Sequence, residues 1–389
     1  MPDDLTHLLT PSTRSHRQPA LRAVSARIED LGGINLAQGK CPLPIDPRVH
    51  ACLKEAAESP LHTATLRHGD PRLRAVIASR FSAATGLPTS PDKVAVSGGA
   101  TGALECICQA FLGPGDEVVL FKPAFPYYTR MVVGQGATPV FVDFEPDGSL
   151  SAERLAGAFS DRTKLVIFCT PQNPTGKVMT TESLDRIAAA CRRHDVVAVS
   201  DEVYRHFCRP GHPHVSIVTR PGMAERTLVV RSVSKTLLAT GWRIGWVIGP
   251  AAIVDPISVK SDQLFLCAGA PLQRATALCF ERLPPSYYDE LAAPFHRRMD
   301  RLADGLAQAG LEPLPSEGGY FQLARYEGLG LRDDDHATEV LIETCNIGAV
   351  PGSSFNPDGA DTGYLRFSCA VPDAWIEQAC AQLGRLRDR

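Results

Sequence analysis

The stretch SVSKTLLATGWRIGW, Ser232 to Trp246, decides the reading of this 389-residue chain. It overlaps the end of TLVVRSVS (Thr227 to Ser234), an apolar run that predicts a strand, and it sets Lys235 among hydroxyls ahead of Arg243. Lysine is scarce here, eight of the forty basic residues. A lysine amine becomes a nucleophile toward an aldehyde when burial and a neighbouring cation lower its pKa. Ser232, Ser234 and Arg243 supply what a phosphate needs, two hydroxyl donors and a planar cationic fork. The stretch therefore predicts a site for an aldehyde that bears a phosphate, which is pyridoxal 5'-phosphate (PLP).

Two plainer readings compete. SVSK also satisfies the SxxK signature of serine-nucleophile lactamases, but the chain holds neither SDN nor KTG to complete that set. The other reading is a lysine that closes a strand while the Gly-Trp pairs pack a turn. The stretch alone leaves this open, so the rest of the chain has to decide.

The length allows a large core and two or three domains. Composition is that of a globular protein, 44% hydrophobic and 21% charged, and a net charge of −3 gives no reason to expect a nucleic-acid or membrane partner. Twelve cysteines are scattered through apolar runs, as Cys106, Cys108, Cys169 and Cys279 are, without a CxxC pair. Such thiols suit a reducing compartment and point to a cytoplasmic protein. His212 and His214 in GHPHV have no third ligand near them in sequence, so no metal is expected. The polar leader, residues 1–20, is expected to be flexible.

Beyond it, apolar residues at helical spacing predict helices up to Asp30, from Pro47 to Ser59, from the Gly69–Asp70 turn to Gly86, and from Thr101 to Leu112. The runs EVVLF, PVFVDF, KLVIFCT, VVAVSDEVY and TLVVRSVS are apolar on both faces and alternate with helical segments such as Glu182 to His194. That pattern predicts an α/β fold with a mostly parallel sheet covered on both sides. Helices around 289–310 and 373–386 flank the short strands YFQLA and YLRFS. The expected division is a large PLP-binding domain of residues 46–283 and a smaller α/β domain formed by 21–45 and 284–389.

Ligands of open α/β sheets bind at the carboxyl ends of strands, and four motifs sit at such ends or at helix starts. SGGATGAL (97–104) offers the amides of Gly99, Ala100 and Thr101 at a helix N-terminus, where an anion can approach, although an ordinary tight turn reads the same way. CTPQNPTGKV holds Asn173 before Pro174, able to aim its amide at a ligand oxygen, and NPTG is equally a good turn. VVAVSDEVY ends a strand in Asp201, with Tyr204 three residues on. A buried carboxylate needs a partner, and a pyridinium nitrogen has the right charge. YLRFS sets Arg366 between apolar neighbours, where a guanidinium wants a carboxylate from the protein or from a substrate.

Taken together and in this order, PAFPYY, NPTG, DEVY, SxSK and GWRIG make the chain resemble the class I/II aminotransferases, PLP enzymes of fold type I that include the aspartate and kynurenine aminotransferases. The likeness runs from Ile34 to Cys369. The resemblance implies that Lys235 is the Schiff-base lysine and proton shuttle, that Asp201 pairs with the pyridine nitrogen, and that Asn173 and Tyr204 bond the ring hydroxyl. It implies that Phe125 stacks on the ring, that the amides of Gly99, Ala100 and Thr101 with Ser232, Ser234 and Arg243 hold the phosphate, and that Arg366 clamps the substrate α-carboxylate with Asn173 and the backbone of Gly39. A homodimer with sites at its interface, and an L-amino acid and a 2-oxo acid as substrates, follow from the same likeness.

One position departs from it. The family's tyrosine five residues before the glycine matching Gly69 is replaced by Ala64, with Thr63, Thr65 and Arg67 nearby as possible substitutes. That keeps open another PLP reaction on the same scaffold, γ-elimination or replacement on an S-adenosylmethionine-like substrate, or amino-acid oxidation or cyclisation in specialised biosynthesis. Lys40, after Gly39, is also atypical. No second arginine is placed by a motif to receive a side-chain carboxylate, which disfavours a dedicated aspartate enzyme and leans toward neutral, aromatic, sulfur-containing or unusual amino acids.

Overall fold

The computed structural model describes residues 5–9, 20–38, 41–60, 62–145 and 148–388. Of the expected flexible leader, residues 1–4 and 10–19 therefore lie outside the described part, while Leu5–Leu8 forms one exposed 3-10 turn.

After β1 (Ile34–Asn35), seven strands build one sheet: β2 (Val94–Ser97), β3 (Glu117–Lys122), β4 (Thr138–Asp143), β5 (Thr163–Cys169), β6 (Val197–Asp201), β7 (Thr227–Ser232) and β8 (Gly245–Ile248). Their spatial order is β2-β8-β7-β6-β5-β3-β4. The β4-β3-β5-β6-β7 pairings are parallel, and β8 alone runs antiparallel to both of its neighbours. The mostly parallel sheet expected from the alternating strands and helices is thus present.

Its two-sided covering follows from strand geometry, because successive side chains point to opposite faces. In β5, Leu165, Ile167 and Cys169 enter one apolar cluster with Leu104 and Ile107, while Val166 and Phe168 enter another with Leu184 and Ile187. The first cluster comes from the helix Gly99–Phe111 and the second from Thr181–His194, so one helix lies on each face. The helix after SGG begins two residues earlier than the sequence pattern suggests. The strand ahead of Lys235 ends two residues earlier, at Ser232, because the chain turns into the short helical segment Val233–Thr236.

The C-terminal residues add β9 (Glu312–Pro313), β10 (Phe321–Arg325), β11 (Ile347–Gly348), β12 (Val350–Pro351) and β13 (Tyr364–Ser368). The antiparallel order β12-β13-β10-β9 makes a second sheet, and β11 takes β1 in parallel, which ties the residues just before 36 to the far end of the chain. The long helix Ser286–Gln308 and the helix Asp373–Leu383 cover this sheet through Met299, Leu302, Leu306, Ile376 and Ala379.

The C-terminal glycine of the GWRIG stretch meets the SGG turn. A methyl group on Gly245 would run into the Gly99 carbonyl carbon and stand 2.5 Å from the Ala100 nitrogen. Both contacts are backbone, which cannot swing aside. Gly245→Ala is expected to destabilise the apoprotein by about 1–3 kcal/mol, as overpacking does, and to weaken anion binding at the adjoining amides; urea unfolding and phosphate-analogue titration check both.

Candidate active site

The carboxyl ends of β5, β6 and β7 open onto two joined spaces. The inner one, about 190 Å³, is lined by Ala100, Thr101, Phe125, Asn173, Asp201, Tyr204, Ser232, Ser234, Lys235 and Arg243. The outer one, about 730 Å³, shares Thr101, Phe125, Asn173, Tyr204, Lys235 and Arg243 with it and adds Arg366, Phe321, Tyr127 and one face of the helix Ala20–Asp30. The residues singled out by sequence therefore converge, apart from Gly39, which with Lys40 lies outside the described residues; Gly99 stands at the rim through its backbone.

Lys235 leaves β7 one turn into Val233–Thr236, which swings its amine over the sheet end. The amine stands 5.8 Å from the centre of the Tyr204 ring and 5.5 Å from that of Tyr320. Burial pushes its pKa down to about 8, and the charges of Arg243 and Arg366 add to the effect, while Cys41 and Asp201 oppose it. An amine so adjusted carries a free lone pair near neutrality.

Asp201 is the last residue of β6 and is buried. Tyr128 donates its hydroxyl proton to Asp201 Oδ2 at 2.7 Å, and the Val203 amide donates to Oδ1 at 3.3 Å. Among the described residues no cation forms a salt bridge with it. Burial raises its pKa to about 6, with the Tyr128 and Val203 bonds working the other way. The next residue, Glu202, is fully buried yet fully served: Arg231 reaches it at 2.6 Å, His214 at 3.2 Å and Ser216 at 2.5 Å. Its pKa is depressed, with Arg231 and His214 overcoming desolvation. His214 is thus the partner of a carboxylate.

An anion cup lies at the start of the helix Gly99–Phe111. Gly99 has φ +82°, and a side chain there would strike Arg243 Nη2, so only glycine lets the guanidinium lie against the turn. Arg243 Nη1 stands 3.4 Å from Ser234 Oγ and donates to the Thr240 carbonyl at 3.1 Å. Phe125 precedes the helix Pro126–Gly134 and stacks on Tyr127 at 5.0 Å with 19° between the rings.

Arg366, 1% exposed, donates from Nη1 to Asn173 Oδ1 at 2.9 Å and from Nη2 to the Ala37 carbonyl at 2.6 Å. Its guanidinium lies over Phe321 at 4.3 Å and Phe355 at 4.9 Å, and its Nε has no partner. Burial lowers its pKa to about 10. Among the described residues no carboxylate pairs with it.

These features fit PLP. The inner space offers an amine for the aldehyde, a buried carboxylate without a cation for the ring nitrogen, a phenyl face, and a glycine-lined cup with a guanidinium for the phosphate.

Three residues of the site escaped the sequence reading. Tyr128 follows Phe125 by three, so helical spacing after PAFP brings it to the same side; that signal was present. Tyr320 and Phe321 wall Tyr204 at 5.3 and 5.7 Å, a contact between sequence-distant elements that no local pattern encodes. Around Ala64, which is exposed, Thr65 accepts from Gln273 at 3.2 Å and Arg67 is taken up by Asp255 and by Ser258 at 3.1 Å. Two of the three nearby substitutes for the missing tyrosine are thus engaged within the chain.

Residues 32–383 match the family model of the class I and II aminotransferases. The kynurenine–oxoglutarate transaminase 1 of Mus musculus is 36% identical over 353 residues, 82% of this chain and 83% of that protein. The N-succinyldiaminopimelate aminotransferase structure from Mycobacterium tuberculosis superposes with a TM-score of 0.93 at 31% identity, covering 97% of this chain and all of that one. A mutant aspartate aminotransferase from Thermus thermophilus superposes with a TM-score of 0.90 at 28% identity, over 97% and 99%.

Tyr128→Phe removes the donor that holds Asp201 ionised, so the Asp201 pKa is expected to rise further above its ordinary value. A carboxyl with a raised pKa is neutral below that pKa. Affinity for PLP in the variant should therefore fall off at a higher pH than in the parent, where the loss centres near pH 6. Fluorescence titration of apoprotein with PLP between pH 5.5 and 8 checks this; superimposable profiles would refute it.

Proposed function

The chain belongs to the class I and II aminotransferases, enzymes that transfer amino groups with pyridoxal phosphate, and from that premise we propose how its own residues divide the reaction between an L-amino acid and a 2-oxo acid. One observation carries the reading: Arg366, buried and without a carboxylate among the described residues, shares a cavity with the Lys235 amine. A substrate α-carboxylate bound to Arg366 beside Asn173 presents its α-carbon toward Lys235.

When bound, PLP supplies an aldehyde that receives the amino group and a ring that accepts the electron pair left as the α-proton departs. Lys235 would hold the aldehyde through its Nζ. The Lys235 Nζ, once free, would carry the proton taken from the substrate α-carbon, so one amine would serve as anchor and as proton shuttle. Asp201 keeps the ring nitrogen protonated and is itself kept charged by Tyr128. Asn173 and Tyr204 hold the ring hydroxyl, Phe125 covers the ring, and the amides of Gly99, Ala100 and Thr101 with Ser232, Ser234 and Arg243 hold the phosphate. Arg366 fixes the plane in which the α-proton faces Lys235.

The surrounding organisation follows the same premise. Residues 46–283 form the PLP-binding domain, and 21–45 with 284–389 form the small domain; supporting this, β2 to β8 all fall in the first range and every other strand in the second. The enzyme works as a homodimer. Leu66, Phe265 and Leu266 are exposed apolar residues, and Phe265 lies 3.7 Å from where a side chain on Gly98 would begin, beside the anion cup. A cytoplasmic location is supported by twelve free cysteines, nine of them buried. No helix of the described residues is long and apolar enough to cross a membrane.

Lys235→Ala is expected to retain PLP through the ring and phosphate contacts yet lose transamination by at least three orders of magnitude, and borohydride should no longer fix the cofactor to the chain. Transamination by that variant at more than a trace would overturn the assignment. A half-reaction panel without 2-oxo acid, following pyridoxamine phosphate by absorbance, is expected to favour methionine and phenylalanine over aspartate.

A further inference from the structure

A further cavity, about 280 Å³, shares no lining residue with the two spaces of the candidate active site. The helix Ser286–Gln308 lines it with Tyr287, Glu290, Leu291, Pro294, Phe295 and Arg298, the spacing of one helical face. Leu43, Pro44, Asp46, Arg48 and Leu238 complete the lining. Leu238 donates its amide to the Lys235 carbonyl at 3.2 Å, so the cavity backs onto the turn that carries that lysine.

Two polar features of this lining are left incomplete. Arg298, 9% exposed, gives Nε to Asp373 Oδ1 at 2.6 Å and Nη2 to Oδ2 at 3.4 Å, yet its Nη1 is buried and has no partner among the described residues. A buried N–H without an acceptor is costly, and a guanidinium has donors enough for a second carboxylate. Toward the start of the same helix, Arg48 is shared by two carboxylates, Asp46 at 2.8 Å and Glu290 at 2.7 Å. One cation between two anions leaves a negative charge over, which an ammonium can answer. The Arg48 guanidinium lies 5.2 Å from the centre of the Tyr287 ring, which holds it over that residue.

Between these two ends the lining is apolar, with Leu43, Pro44, Leu238 and Leu291. Eight residues separate Glu290 from Arg298, about 12 Å along the axis, and an arginine side chain leans back toward the helix N-terminus, which shortens the gap. We propose that this cavity binds an ω-amino carboxylic acid, a straight apolar chain with its carboxylate on Arg298 Nη1 and its ammonium at the Asp46–Glu290 pair. An α-amino acid carries its two charges too close together to reach both ends, so the cavity selects against the substrates of the active site. The ammonium contact lies at the exposed rim and is screened by salt, whereas the carboxylate contact is buried. The inference does not depend on the roles given to Lys235 and Arg366.

Equilibrium dialysis of the PLP-loaded protein against radiolabelled 6-aminohexanoate tests the proposal, with hexanoate and hexylamine, which each lack one charged end, as competitors. Saturable binding is expected at one site per chain, with either competitor at least tenfold weaker than unlabelled 6-aminohexanoate. Leu291→Trp, which fills the cavity without removing a charge, should abolish binding. Arg298→Lys, which keeps a cation beside Asp373 but loses the fork, should weaken it about tenfold. Glu290→Gln should weaken it about tenfold as well and flatten its dependence on salt; that side chain is 52% exposed, so this variant keeps the test decisive if the two interior ones fail to fold. Arg366→Gln is the control for capture in the active site and should bind as the parent does. No saturable binding to the parent overturns the proposal, as does hexanoate competing as well as 6-aminohexanoate. Binding that survives Leu291→Trp but is lost in Arg366→Gln places the ligand in the active site and likewise refutes it.

Discussion

Uncompensated charge, held out of water, is the constraint on which this molecule depends. Lys235, Asp201 and Arg366 each bring a charge to the end of the large sheet, and among the described residues none is matched by an opposite charge in a salt bridge. Folding three such groups into one region costs free energy in proportion to their desolvation. The shifts record that cost, with the lysine down to about 8, the carboxyl up to about 6 and the guanidinium down to about 10. PLP, with an aldehyde, a pyridinium nitrogen and a phosphate, is a ligand whose groups complement what the protein leaves open. The rest of the core makes the arrangement affordable, because two apolar layers close over a sheet whose strand ends need carry nothing but function.

The pair Asp201 and Glu202 shows that the vacancy is selective. Both carboxylates are buried at one strand end. Glu202 is given an arginine, a histidine and two serines, and its pKa falls; Asp201 is given one phenol and one amide, and its pKa rises. Neutral donors orient a carboxylate without discharging it, so Tyr128 can fix the direction of Asp201 while leaving its charge for another partner. Supplying Asp201 with an arginine of its own would make a more stable protein and an emptier site.

Much of this was legible before the structure, and the reason differs by residue. Lys235, Asp201, Asn173 and Arg243 stand at strand ends or in turns whose local sequence already constrains the backbone, so motif and position carry the chemistry together. The alternation of doubly apolar strands with helices gave the parallel sheet by the same logic. The antiparallel run of β8 was not visible, since a single apolar strand carries no mark of direction. Tyr320 and Phe321 were invisible for a related cause: they meet Tyr204 only because the β10-β13 ladder is laid against the large sheet, and contacts across that distance in sequence have no periodic signature.

The anion cup shows how narrowly sequence and site are joined. Gly99 has no side chain because Arg243 occupies that volume, and Gly245 has none because the Gly99–Ala100 backbone occupies the next. Arg243 itself has φ +54°, a left-handed conformation unfavourable for a residue with a Cβ. That conformation places the guanidinium against a glycine turn whose amides point the same way. Two glycines far apart in the chain and one strained arginine thus form a single steric unit. The GWRIG motif and the SGG motif are two halves of that unit, which is why each reads weakly alone and strongly in company.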